Sequence, residues 1–227
     1  LAGGYDVDEY FVELGVPVTE ALNLEVGMRF AEYSTDQDTD SFKLGAYYQV
    51  NDDLSVRGTL QTAARHGSIT ELYRGQGSSL TDLDPDPCGT DPESGAGPTA
   101  TIEQCRNTGL ADADYGSDLK SPADQYNILT GGNPNLRPEE SESTTLGVVW
   151  TPTSVEGLTL SLDYFDITVE DRIGTIPAQT SIDKCLATGA ATFCSLIERD
   201  PIMGSLWVSP GQIITTNTNV AESSEIN

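Results

Sequence analysis

The sequence predicts an all-β fold: antiparallel up-and-down strands forming part of a large transmembrane β-barrel, with long extracellular loops. Three features lead there. Apolar and polar residues alternate with period two over several segments, short and long connections take turns along the chain, and no apolar run is long enough to cross a membrane as a helix. Composition points the same way, because only 37% of the 227 residues are hydrophobic and 22 are glycine, which suits short strands and loops better than helices.

Taken in order, DEYFVELGVPV carries a strand over 8–18, with Pro17 near its end. In 22–34, Leu22, Leu24, Val26, Met28 and Phe30 share one face, and Asn23, Glu25, Gly27 and Arg29 the other. SFKLGAYYQV gives a strand over 42–50, with Phe42, Leu44, Ala46, Tyr48 and Val50 set against Lys43, Gly45, Tyr47 and Gln49. After an Asn51-Asp52-Asp53 turn, the strand 54–65 opposes Leu54, Val56 and Leu60 to Ser55, Arg57, Thr59 and Gln61. Strands follow over 142–151, where Leu146, Val148 and Trp150 share a face, and over 158–170, where Leu158, Leu160, Leu162 and Tyr164 do. The second of these changes phase at Tyr164 and Phe165, as a bulge or an exit from the first environment would cause. QIITTNTNV supplies a seventh strand over 212–223.

Connections after residues 18, 50 and 151 are short, whereas 34–41, 66–140 and 171–212 are longer. Outer-membrane barrels have short periplasmic turns and long outside loops, so 66–140 and 171–212 are expected as extracellular loops. They hold the cysteines, most of the acidic residues and the low-complexity DLDPDPCGTDPESGAGPTAT. Tyr48 and Trp150, each on an apolar face just before a short turn, are placed by this reading at the periplasmic interface, which favours amphipathic rings.

A balance of 36 acidic against 11 basic side chains gives a net charge of −25, which excludes nucleic acid as a partner because phosphates would be repelled. The 4 cysteines lack metal-site C-x-x-C spacing and the chain has 1 histidine, so disulfides in an oxidising compartment are expected rather than zinc. Local pairing, Cys88 with Cys105 and Cys185 with Cys194, is chosen because small loops close most easily. No catalytic constellation is present, so the chain is not expected to be an enzyme, and no cofactor or metal is expected. Ca2+ at Asp36, Asp38 and Asp40 is the one candidate ion; against it, Ser41 stands where a calcium loop needs glycine and Tyr47 where it needs a bidentate glutamate. Gly131-Gly132 leads into no helix and is not a phosphate cradle.

GGNPNLRPEESESTTLGVVWTP followed by GLTLSLDYFDITVEDRI, with EYFVEL and ELGVPV upstream and CLATG, FCSLIERDP and GSLWVSP downstream, resembles the TonB-dependent outer-membrane receptors from about Tyr5 to Asn219. Pro134 and Pro138 hold Asn133 and Arg137 extended, which fits a chain descending from an outside loop into a barrel wall. Asn133, Pro134, Asn135, Pro138 and Glu139 are thus read as a rim motif that sets where the strand begins. AARHGSITELY departs from the family's Arg-Ala-Pro type string, with Arg65, His66 and Gly67 in its place.

The resemblance implies a Gram-negative outer membrane with loops facing the cell exterior, and TonB-dependent uptake of a scarce nutrient: siderophore-bound iron, a cobalamin-like compound or an oligosaccharide. Implied partners are the TonB complex acting through a plug domain expected to be absent from these residues, the small nutrient ligand, and outer-membrane lipid. Arg29, Lys43, Arg57 and Gln61 would line the lumen. His66 is a candidate ligand contact at the barrel mouth, with an incidental solvent-facing histidine as the alternative. A transporter barrel of this kind needs roughly 22 strands, so about seven make this a piece from the C-terminal half of the barrel. Two other readings stay open: a receptor-derived strand fragment that self-associates through open edges into a structural, filament-like extracellular protein, and a soluble acidic β-sandwich that binds calcium.

Overall fold

The alternating segments pair with one another in chain order. The computed structural model describes residues 3–220 and 223–226. One sheet takes β1 (Val7–Pro17), β2 (Leu22–Tyr33), β3 (Thr39–Asn51), β4 (Leu54–Arg65), β7 (Glu139–Trp150), β8 (Leu160–Glu170) and β13 (Ser223–Ile226) in that order, each antiparallel to the next. It is an all-β, up-and-down sheet that does not close on itself, with β1 and β13 as its edges.

The register decides which residues share a face. Leu14, Val26, Leu44 and Leu60 form one row, and Glu13, Gly27, Lys43, Gln61 and Ser143 form the adjacent row on the opposite face. The apolar face is uncovered: Leu162 is 76% exposed and Leu146 55%. Toward the end of the strands that leads to the long connections, the same face ends in carboxylates, Asp8, Glu32, Asp40, Glu140, Glu142 and Glu170.

The apolar band also drifts against the hydrogen-bonded rows. Its top residues are Tyr10, Phe30, Phe42, Leu60, Leu146 and Tyr164 on successive strands. Tyr10 and Phe30 share a row, but Leu146 and Tyr164 lie on the row of Val16, six residues further along β1. Six residues at about 3.3 Å each, over five strand spacings of about 4.8 Å, make the band cross the strands at a tilt of roughly 40°. A flat hydrocarbon slab cutting tilted barrel strands leaves this trace.

Several sequence-predicted boundaries differ. β3 takes in Thr39–Ser41 from the expected connection 34–41, and β7 starts at Glu139, within the stretch 66–140 expected as loop. Leu158 precedes β8. The phase change at Tyr164 is not a bulge, since β7 and β8 stay in register from Glu140–Glu170 to Trp150–Leu160; a register shift lies instead between Gln49 and Asn51. Residues 212–223, expected as one strand, are broken into β11 (Gln212–Ile214), β12 (Thr218–Asn219) and the start of β13. The reason is tertiary: Asn217 and Asn219 turn their side-chain amides onto the backbone carbonyls of Glu71, Arg137 and Asp171, all far off in sequence, which ties this stretch to partners outside the strand ladder.

The expected loops 66–140 and 171–212 are substantially folded. Residues 70–134 and 174–218 form a compact unit of their own, and the sheet, from 3–69, 135–173 and 219 onward, forms another. In the loop unit, β5 (Gly77–Asp82), β6 (Gln125–Thr130), β11 and β10 (Ile197–Glu198) make a mixed sheet in which β11 runs parallel to β6. Four short helices, α1 (Ile69–Tyr73), α2 (Ile102–Asn107), α3 (Ala178–Thr188) and α4 (Ala191–Cys194), accompany the chain through these stretches. Thr101 and Gln104 cap the start of α2 reciprocally. On α3, Ala178, Ile182 and Cys185 recur at helical spacing and bury against Tyr126, Ile197, Leu206 and Ile213.

Disulfides Cys88–Cys105 and Cys185–Cys194 close the two local loops, with Cys88 and Cys105 buried beside Leu110 and Leu119. Beside Cys88, whose N–H donates to Asp86, lies a buried ion pair, Arg199 with Asp86, with side chains 2% and 1% exposed. Arg199 also donates to the Thr108 hydroxyl and the Gly204 carbonyl, so its buried charge is well supplied with acceptors.

Candidate ligand-binding site

Arg29, Lys43, Arg57 and Gln61 fall on the polar face of the sheet. The three cations are held by carboxylates on other strands of the sheet: Arg29 by Glu9 and Lys43 by Glu25 (2.9 Å) on the adjacent strand, and Arg57 by Asp163 at 2.7 Å across Gly147 of the intervening β7. A hollow of about 410 Å³ on this side is lined by Glu9, Phe11, Arg29, Ser41, Lys43 and Gln61 among others, so the sheet is concave toward its polar face. These ion pairs neutralise a wall that would otherwise be strongly acidic.

At the end of this sheet near the long connections, Glu139 receives both the Nε and Nη2 of Arg65, at 2.6 and 2.8 Å, and the backbone N–H of Ile173 at 2.7 Å. Arg137 pairs with Asp171 at 2.6 Å, and Asn219 accepts from the Arg137 N–H while donating to its carbonyl. Pro138 sits between these two fixed points, at the start of β7. Asn133 bonds the Asn217 carbonyl, and the Asn133 N–H bonds the Glu71 carbonyl. Asn135 also has a partner.

His66 is not the solvent-facing histidine expected from the sequence: only 7% of it is exposed. It stacks on Tyr33 with ring centroids 4.0 Å apart and meets the edge of Tyr5 at 4.7 Å. Because the Gly67 carbonyl can only accept, Nδ1 carries the proton that meets it, and Nε2 faces the Thr35 hydroxyl at 2.8 Å. Both ring nitrogens are engaged within the cluster.

A pocket of about 360 Å³ in the loop unit went unread in the sequence. Its polar lining is Arg74, Thr81, Thr130, Thr175, Thr215 and Asn217, and no carboxylate lines it. Among the described residues Arg74 makes no ion pair, although acidic side chains outnumber basic ones 36 to 11. Pro177 and Ala178 bring the start of α3 to the same wall, and no side chain caps that helix end. Unsatisfied N–H groups at a helix start and a guanidinium both favour an anion. No motif marks the site, because its lining comes from separate stretches of chain. Among the described residues no group of three His, Cys, Asp or Glu side chains converges to hold a metal, Asp36, Asp38 and Asp40 included.

The family model described as TonB dependent receptor-like, beta-barrel, matches residues 1–226. The chain belongs to that TonB-dependent receptor family. The family is one of outer-membrane transport receptors rather than enzymes, and it crosses the membrane with strands; no helix among the described residues is long and apolar enough to do so. Comparison with curated proteins finds no match.

Among solved structures, the chain is similar to the siderophore receptor PirA of Pseudomonas aeruginosa (14% identity, TM-score 0.56, covering 97% of this chain and 29% of that one). It is also similar to PirA of Acinetobacter baumannii (16%, 0.57, 99% and 26%) and to the ferric enterobactin receptor PfeA of Pseudomonas aeruginosa (13%, 0.58, 97% and 23%). At these identities the likeness concerns the fold. The TonB-dependent receptor chain described here spans less than a third of the length of each.

Proposed function

We propose that this chain forms a section of the wall and mouth of an outer-membrane receptor for TonB-dependent uptake of a scarce nutrient, and that the nutrient is anionic. The observation that carries the transport reading is the pair of unlike faces, one an uncovered apolar band tilted across the strands and the other a concave polar wall with its cations paired. Lipid meets the first face. The second, with Arg29, Lys43, Arg57 and Gln61, borders the lumen, where a plug would couple to the TonB complex.

The loop unit faces the exterior in this reading, and its Arg74 pocket takes the ligand. Of an iron chelate, a cobalamin-like compound and an oligosaccharide, an acidic iron chelate suits a cationic, hydroxyl-lined pocket best, in keeping with the siderophore receptors of similar fold. The test is uptake of radioiron from ferric chelates by cells carrying the full-length protein. Transport that requires both the proton gradient and Arg74 supports the reading, and the Arg74→Ala protein should reach the outer membrane yet bind chelate at least about tenfold more weakly. Recovery of the native protein only in the soluble fraction would end the transport assignment.

A further inference from the structure

The stretch Gly131-Gly132-Asn133 lies at the head of the rim motif, yet its closest backbone partners belong to the segment that carries Arg74. The Gly132 N–H donates to the Arg74 carbonyl at 2.8 Å, and the Asn133 N–H to the Glu71 carbonyl at 2.9 Å. The Gln76 side-chain amide returns to the Gly132 carbonyl at 3.3 Å. Asn217 closes the knot: its N–H meets the Gly131 carbonyl at 3.1 Å, its side chain donates to the Glu71 carbonyl, and its own carbonyl accepts from the Asn133 side chain. Two stretches far off in sequence, 131–133 and Asn217, thereby fix both ends of the short segment 71–76.

The glycines are what permit this approach. A Cβ on Gly132 would stand 2.7 Å from the Arg74 nitrogen and from the Leu72 carbonyl oxygen, both backbone atoms. One on Gly131, at φ +152°, would stand 2.6 Å from the Gln76 Cα. No rotamer change relieves a clash with backbone, so any larger residue must push the 71–76 segment away. Arg74, Gly131 and Asn217 all line the pocket, which means the knot forms part of its wall.

We propose that Gly131, Gly132 and Asn133 act as positioning residues for Arg74: the start of the rim motif holds the backbone from which the guanidinium reaches into the ligand pocket. The inference rests on the reading of that pocket as a ligand site, and the experiment separates the two. In the full-length protein in detergent, Gly132→Ala and the isosteric Asn133→Asp are compared with Gly97→Ala, a glycine with open space around it. Arginine labelling with phenylglyoxal, mapped by mass spectrometry, needs no ligand. The labelling rate of Arg74 should change severalfold in the first two variants and not in the third, while that of Arg106, paired with Asp112, stays constant as an internal reference.

Citrate binding measured by calorimetry should weaken at least about tenfold in Gly132→Ala, and Gly132→Ala should add nothing further in an Arg74→Ala background. Should Gly132→Ala fail to fold, Asn133→Asp carries the same comparison. Unchanged Arg74 labelling in both variants overturns the positioning role. Wild-type protein that ignores citrate, with labelling shifted as expected, overturns the anion reading alone.

Discussion

Asp86 and Arg199 supply the sharpest stability prediction. Their bidentate contact has Nη1 to Oδ2 at 2.7 Å and Nη2 to Oδ1 at 3.2 Å, and both side chains are buried. Replacing Asp86 with alanine strands a guanidinium whose remaining partners, the Thr108 hydroxyl and the Gly204 carbonyl, carry no charge. It also removes the acceptor of the Cys88 N–H. Breaking one side of such a pair costs roughly 3–5 kcal/mol, whereas replacing both partners by apolar residues of similar volume is often close to neutral.

Asp86→Ala should therefore lower hydrogen-exchange protection in 86–110 and 197–207 by roughly two to four orders of magnitude, up to the limit set by the unit's own stability. Peptides from the β2–β4 hairpins should keep their protection, because their hydrogen bonds belong to the sheet unit. Asp86→Leu combined with Arg199→Met should recover most of the loss. Equal loss in the single and double variants would refute the reasoning, since it would mean that packing or the Cys88 contact, not an unpaired charge, set the cost.

Further predictions follow from other parts of the molecule. Burial, reinforced by Asp86 and Asp124, raises the pKa of Tyr126 above its usual value of about 10. Its contribution to loop-unit stability is thus whole below about pH 10 and is lost as pH rises through the folded-state value; chemical denaturation against pH should show this, and Tyr126→Phe should flatten it. Leu162→Arg, on the apolar band, should destabilise the lipid-inserted protein by about 2–4 kcal/mol in urea unfolding from vesicles, while Thr59→Arg on the polar face should cost far less. Joint replacement of Cys185 and Cys194 by serine should lower the loop unit's stability by about 2–4 kcal/mol and weaken ligand binding, because α3 forms one wall of the pocket.

Much of the sheet is legible in the sequence because lipid and water impose a period-two pattern directly on local residue order. Leu22 to Phe30 and Phe42 to Val50 announce both strand and face, and the turn at Asn51-Asp52-Asp53 sets the hairpin that joins β3 to β4. The helical spacing of Ala178, Ile182 and Cys185 was equally present, yet a stretch read as loop conceals it. Strands such as β5 and β6 carry no clear alternation, since they are stabilised by partners far along the chain.

Local order thus determined the strands, their faces and the tendency of the cysteines to close small loops. Tertiary structure alone decided that His66 is packed between aromatic rings, that Asp86 neutralises Arg199, and that Arg74, without an ion pair among the described residues, lines a carboxylate-free pocket. The physical reason is range: alternation answers to the solvent on each side of one strand, whereas burial, charge pairing and a pocket wall depend on which distant segments the backbone brings together.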